Sequence, residues 1–241
     1  MTNPAVDLWV YLSTSPLAWL TLTLAAYVIA DWIARRLNRH PLANPVIIAV
    51  ALVIVALQVS STPFEVYFEG AQFVHFLLGP ATVALAIPLV ENWKRVRRSA
   101  LPILIALFAG SATAVGSAVG IGALLGASPP ILASLAGKSV TTPIAMGIAE
   151  QLGGIPTLTA VLVIFTGIFG AVMVTPLMNL LRIRDYSARG FAAGVAAHGI
   201  GTARAFQVDE LAGTFAGLAM GLNGILTALL VPLLARLIGH G

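Results

Sequence analysis

The chain has 241 residues, 59% of them hydrophobic and only 9% charged, with no cysteine, four histidines and a formal net charge of +4. Soluble domains carry about 25% charged residues, so this composition excludes a soluble globular protein and points to an integral membrane protein. Without cysteine there are no disulfides, thiol nucleophiles or thiolate metal sites. The histidines lack metal-ligand spacing, and the basic residues gather in short loops, as the positive-inside rule expects, rather than in a nucleic-acid patch.

Taken in order, residues 1–14 read as an interfacial lead, with Trp9 and Tyr11 suited to the headgroup layer. The stretch lacks the basic n-region and small-residue cleavage site of a signal peptide, so no processing is expected. A first span is predicted over 17–34, closed by Arg35, Arg36, Arg39 and His40. Asp31 lies four residues before Arg35, the spacing of an ion pair at the membrane edge. Asn44-Pro45 opens a second span, 45–60, with Asn as N-cap and Pro at the first helical position. Residues 61–69, with Glu65 and Glu69, read as a polar loop. The next apolar element, 70–90, is interrupted by Gly79-Pro80 and Pro88 and leads to Lys94, Arg95, Arg97 and Arg98. The element 99–126 carries Gly116, Gly120, Gly122 and Gly126, a small-residue spacing that lets helices approach closely in lipid. After a polar island at 129–152, Ile155-Pro156 starts a span over 157–181 that ends in Arg182, Arg184 and Arg189. A second island fills 190–208. The last span, 211–235, has Gly213, Gly217 and Gly221 on one stripe and ends at Arg236 and His240.

Placing 35–40, 94–98, 182–189 and 236–240 in the cytoplasm makes 129–152 begin and end on the same side. It is therefore predicted to be a re-entrant hairpin with its tip near Gly137-Lys138, since irregular backbone at membrane depth must be buried in protein or line a cavity. Gly70, Gly79 and Thr82 match Gly190, Gly199 and Thr202 at one fixed offset, a faint internal repeat whose halves run in opposite senses across the membrane. The expected fold class is an all-α polytopic membrane protein of about seven transmembrane helices plus one re-entrant, broken segment, with an inverted repeat. It forms a single domain over 1–241, with repeat-like halves at about 15–126 and 128–240.

Two polar islands carry the functional argument. In the first, Lys138-Ser139-Val140-Thr141-Thr142-Pro143 sits between apolar runs, where a charge costs roughly 3 kcal/mol at the bilayer centre. A half-helix starting near Ser139 would point free N–H groups at an anion, with Ser139, Thr141 and Thr142 as hydroxyl donors and Lys138 as the charge. The structural alternative is that Lys138 snorkels or pairs with Glu150 while the hydroxyls satisfy their own helix. In the second, His198-Gly199-Ile200-Gly201-Thr202-Ala203-Arg204, the two glycines permit a broken or closely approached backbone. Arg204 suits bidentate capture of a carboxylate, or an ion pair with Asp209 or Glu210. His198 suits proton coupling, or simple packing. Glu150 is either a coupling carboxylate or a marker of the membrane edge. Asn223, inside the last span, either bonds across helices or lines the path. His75 and Thr82 are weaker candidates from the first half. No catalytic residue is assigned: Gly-x-Ser-x-Gly, paired-Asp and His-Glu-x-x-His motifs are absent, and no metal or cofactor is expected.

Four segments carry a resemblance: Lys138-Ser-Val-Thr-Thr-Pro-Ile-Ala-Met146, Glu150-Gln-Leu-Gly-Gly-Ile-Pro156, Ala196-Ala-His-Gly-Ile-Gly-Thr-Ala-Arg204, and Gly217-Leu-Ala-Met-Gly-Leu-Asn-Gly-Ile-Leu-Thr-Ala228. Together they resemble the LrgB (CidB-like) family over nearly the whole chain, most densely over 128–232. The resemblance implies two descriptions. Bacterial members are described as holin- or antiholin-like proteins that modulate murein hydrolase activity and lysis, usually with a smaller LrgA (CidA-like) membrane partner. The plastid relative, similar over this domain, exports glycolate and glycerate, and bacterial pairs are linked to pyruvate-type uptake. The expectation is a transporter of a small monocarboxylate in a bacterial inner membrane, with a proton as the candidate coupling ion. Its substrate would be held by Lys138, Ser139, Thr141, Thr142, Gly199, Gly201, Thr202, Arg204 and Asn223, with His198 and Glu150 as coupling candidates. The alternative is the holin-like regulator. The expected partners are the carboxylate, the bilayer and an LrgA-type chain. A homodimer is favoured by the glycine stripes, and no nucleic acid is expected.

Overall fold

A computed structural model describes residues 15–40, 43–84 and 86–237, and every regular element among them is a helix. Trp9, Tyr11 and His240 lie outside the described residues, as do the side chains of His75 and Thr82. The chain forms two compact units, Met1–Ala84 and Leu85–Gly241.

The first unit contains α1 (Pro16–Arg36), α2 (Pro45–Ser60), α3 (Phe64–Phe76) and α4 (Leu78–Ala84). α1 packs against both α2 and α3. Trp19 is buried in an edge-to-face contact with Tyr67, 6.0 Å between ring centroids, and Thr23 Oγ1 reaches the Tyr67 hydroxyl at 3.1 Å. Gly70 lets α3 close onto the Pro16 carbonyl, in space that any side chain would occupy. The Asn44 side chain caps α2 by accepting the Val46 N–H at 2.8 Å, and Asp31 pairs with Arg35 as its spacing predicts. Residues 61–69 are not the expected loop: helix begins at Phe64. Glu65 in the first turn complements the helix dipole. Phe64 meets both Tyr67 and Phe68 at helical spacing, with centroids 6.0 and 5.6 Å apart.

The second unit contains α5 (Ala86–Glu91), α6 (Trp93–Arg98), α7 (Ala100–Leu124), α8 (Pro129–Ala136), α9 (Thr142–Gln151), α10 (Pro156–Leu180), α11 (Tyr186–Val208) and α12 (Glu210–Leu237). Gly79-Pro80 and Pro88 fall where the predicted 70–90 element divides into short helices, because proline cannot continue an interior hydrogen-bond ladder.

α8 and α9 are about 12 and 15 Å long, against a hydrocarbon core of about 30 Å. Neither is long enough to cross alone, and the chain reverses between them at residues 137–141, forming a hairpin over the stretch 129–152 (hairpin 1). The hairpin is fastened to α10 through Ser134. Its Oγ accepts the Ile155 N–H at 2.8 Å and donates to the Pro130 carbonyl at 2.7 Å, while Thr159 Oγ1 lies 3.2 Å from the Ser134 carbonyl.

The stretch 190–208, expected to be a span, is a second hairpin. The backbone of α11 leaves helical geometry at Ala197 (φ −129°, ψ 16°) and His198 (φ 39°, ψ −130°). The halves 186–196 and 199–208 then lie side by side: a Cβ built on Gly201 would be 2.6 Å from the Ala193 carbonyl oxygen and from the Ala197 Cβ. Gly190 and Gly194 seat the first half against the Ala212 and Ala216 carbonyls of α12, so these two segments run in the same direction. Periodicity could not show this, because a helix folded back at its middle has the apolar pattern of a straight one.

This second reversal alters the topology. α12 starts on the same face as α11 and ends on the opposite one, so Arg236 lies away from Arg182 and Arg184 rather than beside them as expected. Arg95 and Asp185 do share a face, 3.5 Å apart. In place of about seven spans, four described helices have the length and apolar character to cross a membrane: α1, α7, α10 and residues 210–233 of α12. α2 is a shorter apolar helix of 16 residues. The core of the unit joins Val96, Ile103 and Leu107 to Phe191, Val195 and Phe215 near the basic face. Ala136, Val140, Ala145 and Ile148 of hairpin 1 join Val163 and Val231 in a second cluster. Large apolar side chains such as Ile105, Phe108, Ile225 and Leu229 face outward, as a lipid-facing surface allows and water does not favour.

Candidate functional site

Hairpin 1 enters from the face opposite the basic loops and hairpin 2 from the basic face. Their tips are joined through α12: Asn223, buried at 1% exposure, donates from Nδ2 to the Ser139 carbonyl and to the Val195 carbonyl, each at 3.2 Å. One amide thus satisfies a carbonyl from each hairpin where the helical ladders stop. Thr227 Oγ1 reaches Asn223 Oδ1 at 3.4 Å and Ser111 Oγ at 3.3 Å, extending the network to α7. Of the two roles weighed for Asn223, the cross-helix bond is the one observed.

Lys138 and Ser139 face a cavity of about 1260 Å³. Lys138 Nζ donates to Ser139 Oγ at 3.1 Å, and Ser139 itself is buried. The alternative, a pairing of Lys138 with Glu150, is not seen among the ion pairs of the described residues. Glu150 is exposed near the C-terminal end of α9. Thr141 is the N-cap of α9 and Thr142 its first residue, with Pro143 next, and no side chain caps this terminus. The N-terminal end of a half-helix is thereby placed beside a lysine, three residues later in the chain than expected.

From the tip, the cavity passes Thr113, Gly110, Thr166, Phe169 and Phe191 to Arg95, Ser99, Asp185 and Ser187 at the basic face. Asp185 caps α11 by accepting the Ala188 N–H at 3.1 Å. That hydrogen bond, with a smaller share from Arg95, holds its carboxyl below the ordinary carboxylate range. Arg95 and Asp185 were not singled out from the sequence, although an Asp ahead of Tyr186-Ser187-Ala188 is a recognisable N-cap signal. The apolar walls carried no signal, because a cavity-facing Phe reads like a lipid-facing one.

The second island is arranged differently. His198 is buried, and its Nε2 donates to the Val163 carbonyl at 3.0 Å. Its ring fills the space over Gly167, where a Cβ would be 2.7 Å from His198 Cε1. A left-handed φ at a residue other than glycine is strained, and these contacts hold it. Thr202 is buried and donates to the His198 carbonyl at 2.8 Å, a bond within its own turn. Gly199 stands near Met220, and Gly201 is required by the Ala193 carbonyl described above. Arg204 is buried beside Tyr186, Arg189 and Gly190 in a separate small pocket near the basic face, with Gln207 Oε1 at 3.5 Å. The structure therefore brings Lys138, Ser139, His198 and Asn223 to one level and sets Arg204 and Glu150 apart from it.

Comparison with known proteins agrees with the sequence resemblance. The profile of the LrgB-like family matches residues 23–237. The chain is 34% identical over 218 residues to Uncharacterized protein YxaC of Bacillus subtilis, covering 90% of this chain and 94% of that one. It is 28% identical to Holin-like protein CidB of Staphylococcus epidermidis, covering 90% and 95% of the two chains. It is 29% identical to Antiholin-like protein LrgB of Bacillus mycoides, covering 93% and 98%. No solved structure matches.

Proposed function

The chain belongs to the LrgB-like family, and from that premise we propose that it is a carrier of small monocarboxylates in a bacterial inner membrane. One observation carries the reading: Lys138 and Ser139 stand at the tip of a re-entrant hairpin, facing a cavity that reaches the basic face. A lysine at this depth is expensive unless it serves a ligand or a partner. Carriers with discontinuous helices use half-helix N-termini in this way for anionic groups. Lys138 supplies the charge, Ser139 and the start of α9 supply donors, and Asn223 fixes the hairpin that holds them. Hairpin 1 followed by α10, and hairpin 2 followed by α12, are the same order of elements entering from opposite faces. This is the inverted-repeat reading, with a different boundary from the one the glycine offset suggested. His198 remains the proton-coupling candidate by position.

The test is uptake of labelled glycolate into liposomes holding the purified protein, with and without an inward proton gradient. Saturable uptake that is lost in Lys138→Ala is the expected result. No uptake of glycolate, lactate, pyruvate or any longer monocarboxylate, with an LrgA-type chain also supplied, would reject it.

The second reading is a holin- or antiholin-like role, and the names of the relatives favour it: two of the three compared are named holin-like or antiholin-like. A pore of that kind leaks uncharged solutes as readily as carboxylates. Release of a trapped sugar from the same liposomes would therefore favour it over the carrier.

A further inference from the structure

We infer that the preferred ligand of the cavity is a monoanion with an apolar body, a longer, branched or aromatic carboxylate rather than a compact hydroxy acid. The inference rests on the carrier reading and specifies its substrate class.

Three features lead to it. At about 1260 Å³ the cavity exceeds the roughly 300–1,000 Å³ that encloses drug-sized ligands, so a compact acid would touch little of it. Its walls are mainly apolar through the middle, with Ile103, Phe165, Phe169, Met173, Phe191 and Phe215 beside the two hydroxyls of Thr113 and Thr166, while Lys138 with Ser139 and Arg95 with Asp185 stand at the two ends. Among the described residues lining it, the charged side chains are these three, Arg95, Lys138 and Asp185. Arg95 and Asp185 neutralise each other at 3.5 Å, which leaves one positive charge for the ligand. A single cation balances one carboxylate, whereas a second carboxylate would be desolvated against aromatic walls without a partner. An apolar body gains contact along the aromatic and aliphatic part of those walls, where a hydroxyl has only Thr113 and Thr166 to meet.

The experiment is calorimetric titration of the protein in lipid nanodiscs with acetate, butyrate, hexanoate, octanoate, dodecanoate, phenylacetate and succinate, subtracting protein-free nanodiscs. Affinity is expected to rise roughly fourfold per buried methylene until the cavity is filled, with phenylacetate binding well and succinate weakly. Lys138→Gln is expected to abolish the graded series. Ala106→Phe, which fills the cavity from α7, is expected to move its limit to shorter acids. A gradient that levels off by octanoate identifies a soluble acid, and one that continues into dodecanoate identifies a lipid-derived acid; both support the proposal. A flat or falling series overturns it. So does a gradient unchanged in both Lys138→Gln and Ala106→Phe, which is bilayer partitioning. Glycolate uptake separates the two readings. Saturable uptake with a flat series retains the carrier and rejects this ligand class. A graded, Lys138-dependent series with no flux of any of the acids retains the ligand class and rejects the carrier.

Discussion

The two hairpins are built differently from similar lengths of chain. Hairpin 1 turns through an open loop, keeps a lysine and three hydroxyls at its tip, and presents part of that tip to a cavity. Hairpin 2 turns within two residues, has glycine and alanine on its inner surfaces, and is pressed against α12 until only hydrogen atoms fit at Gly190 and Gly194. Close packing without side chains makes hairpin 2 a tight counterpart, whereas the polar turn of hairpin 1 faces the cavity with Lys138 and Ser139, the groups proposed to meet a ligand. A polar island in an apolar sequence therefore does not by itself mark a binding site; its packing decides.

The largest effect should come from adding a methyl group to each hairpin. Gly194→Ala places a carbon inside the Ala216 carbonyl and should lose about 3 kcal/mol or more, at the upper end of overpacking costs. Gly147 in α9 has open space around it, so Gly147→Ala should stabilise by up to about 1 kcal/mol through helix propensity. Melting in detergent measures both, and equal effects would erase the distinction between the hairpins. Next, Lys138→Ala should lower carboxylate affinity roughly 10- to 100-fold, the loss of one charge-assisted hydrogen bond, with little change in melting. Arg204→Ala should do the reverse, since Arg204 lies off the cavity. Titration and melting of the two variants, side by side, would expose a misplaced site if Arg204 proved the more important for affinity.

Asn223→Leu leaves a carbonyl of each hairpin unsatisfied and should destabilise by about 1–3 kcal/mol, read as a lowered unfolding midpoint. The smallest effect belongs to Asp185. Its carboxyl is held below the usual range, so its contribution is complete above an unfolded-state pKa of about 3.9 and is lost as pH falls through the lower folded value. The melting difference between the native chain and Asp185→Asn should be constant from neutral pH down to about pH 5 and shrink below pH 4. A difference that grew on acidification would contradict the sign.

Much of this architecture was legible in the residues. The bounds of α2, α7 and α10 follow from apolar length, from Asn44-Pro45 and Ile155-Pro156, and from the basic residues that precede α7 and follow α10. Hairpin 1 was legible because a parity argument on the basic loops required it. Hairpin 2 was not, and the misreading carried through to the side on which Arg236 lies and to the number of spans. The helix at Phe64 was hidden because two acids suggested a loop, when aromatic contacts between successive turns decide it.

The sequence by itself determined the solvent, the class of fold and the family, because these depend on composition, on runs of apolar residues and on motifs read along one chain. It also singled out Lys138, since a lysine in an apolar run is a local anomaly. Only the tertiary structure decided that Ser139 and Val195 share one amide from Asn223, that Arg204 stands apart from Lys138, and that aromatic side chains line an open cavity on one side of α7. Those facts depend on the reversal at Ala197-His198. That reversal is held by the Val163 carbonyl and the space over Gly167, contacts from 30 or more residues away that no local pattern encodes.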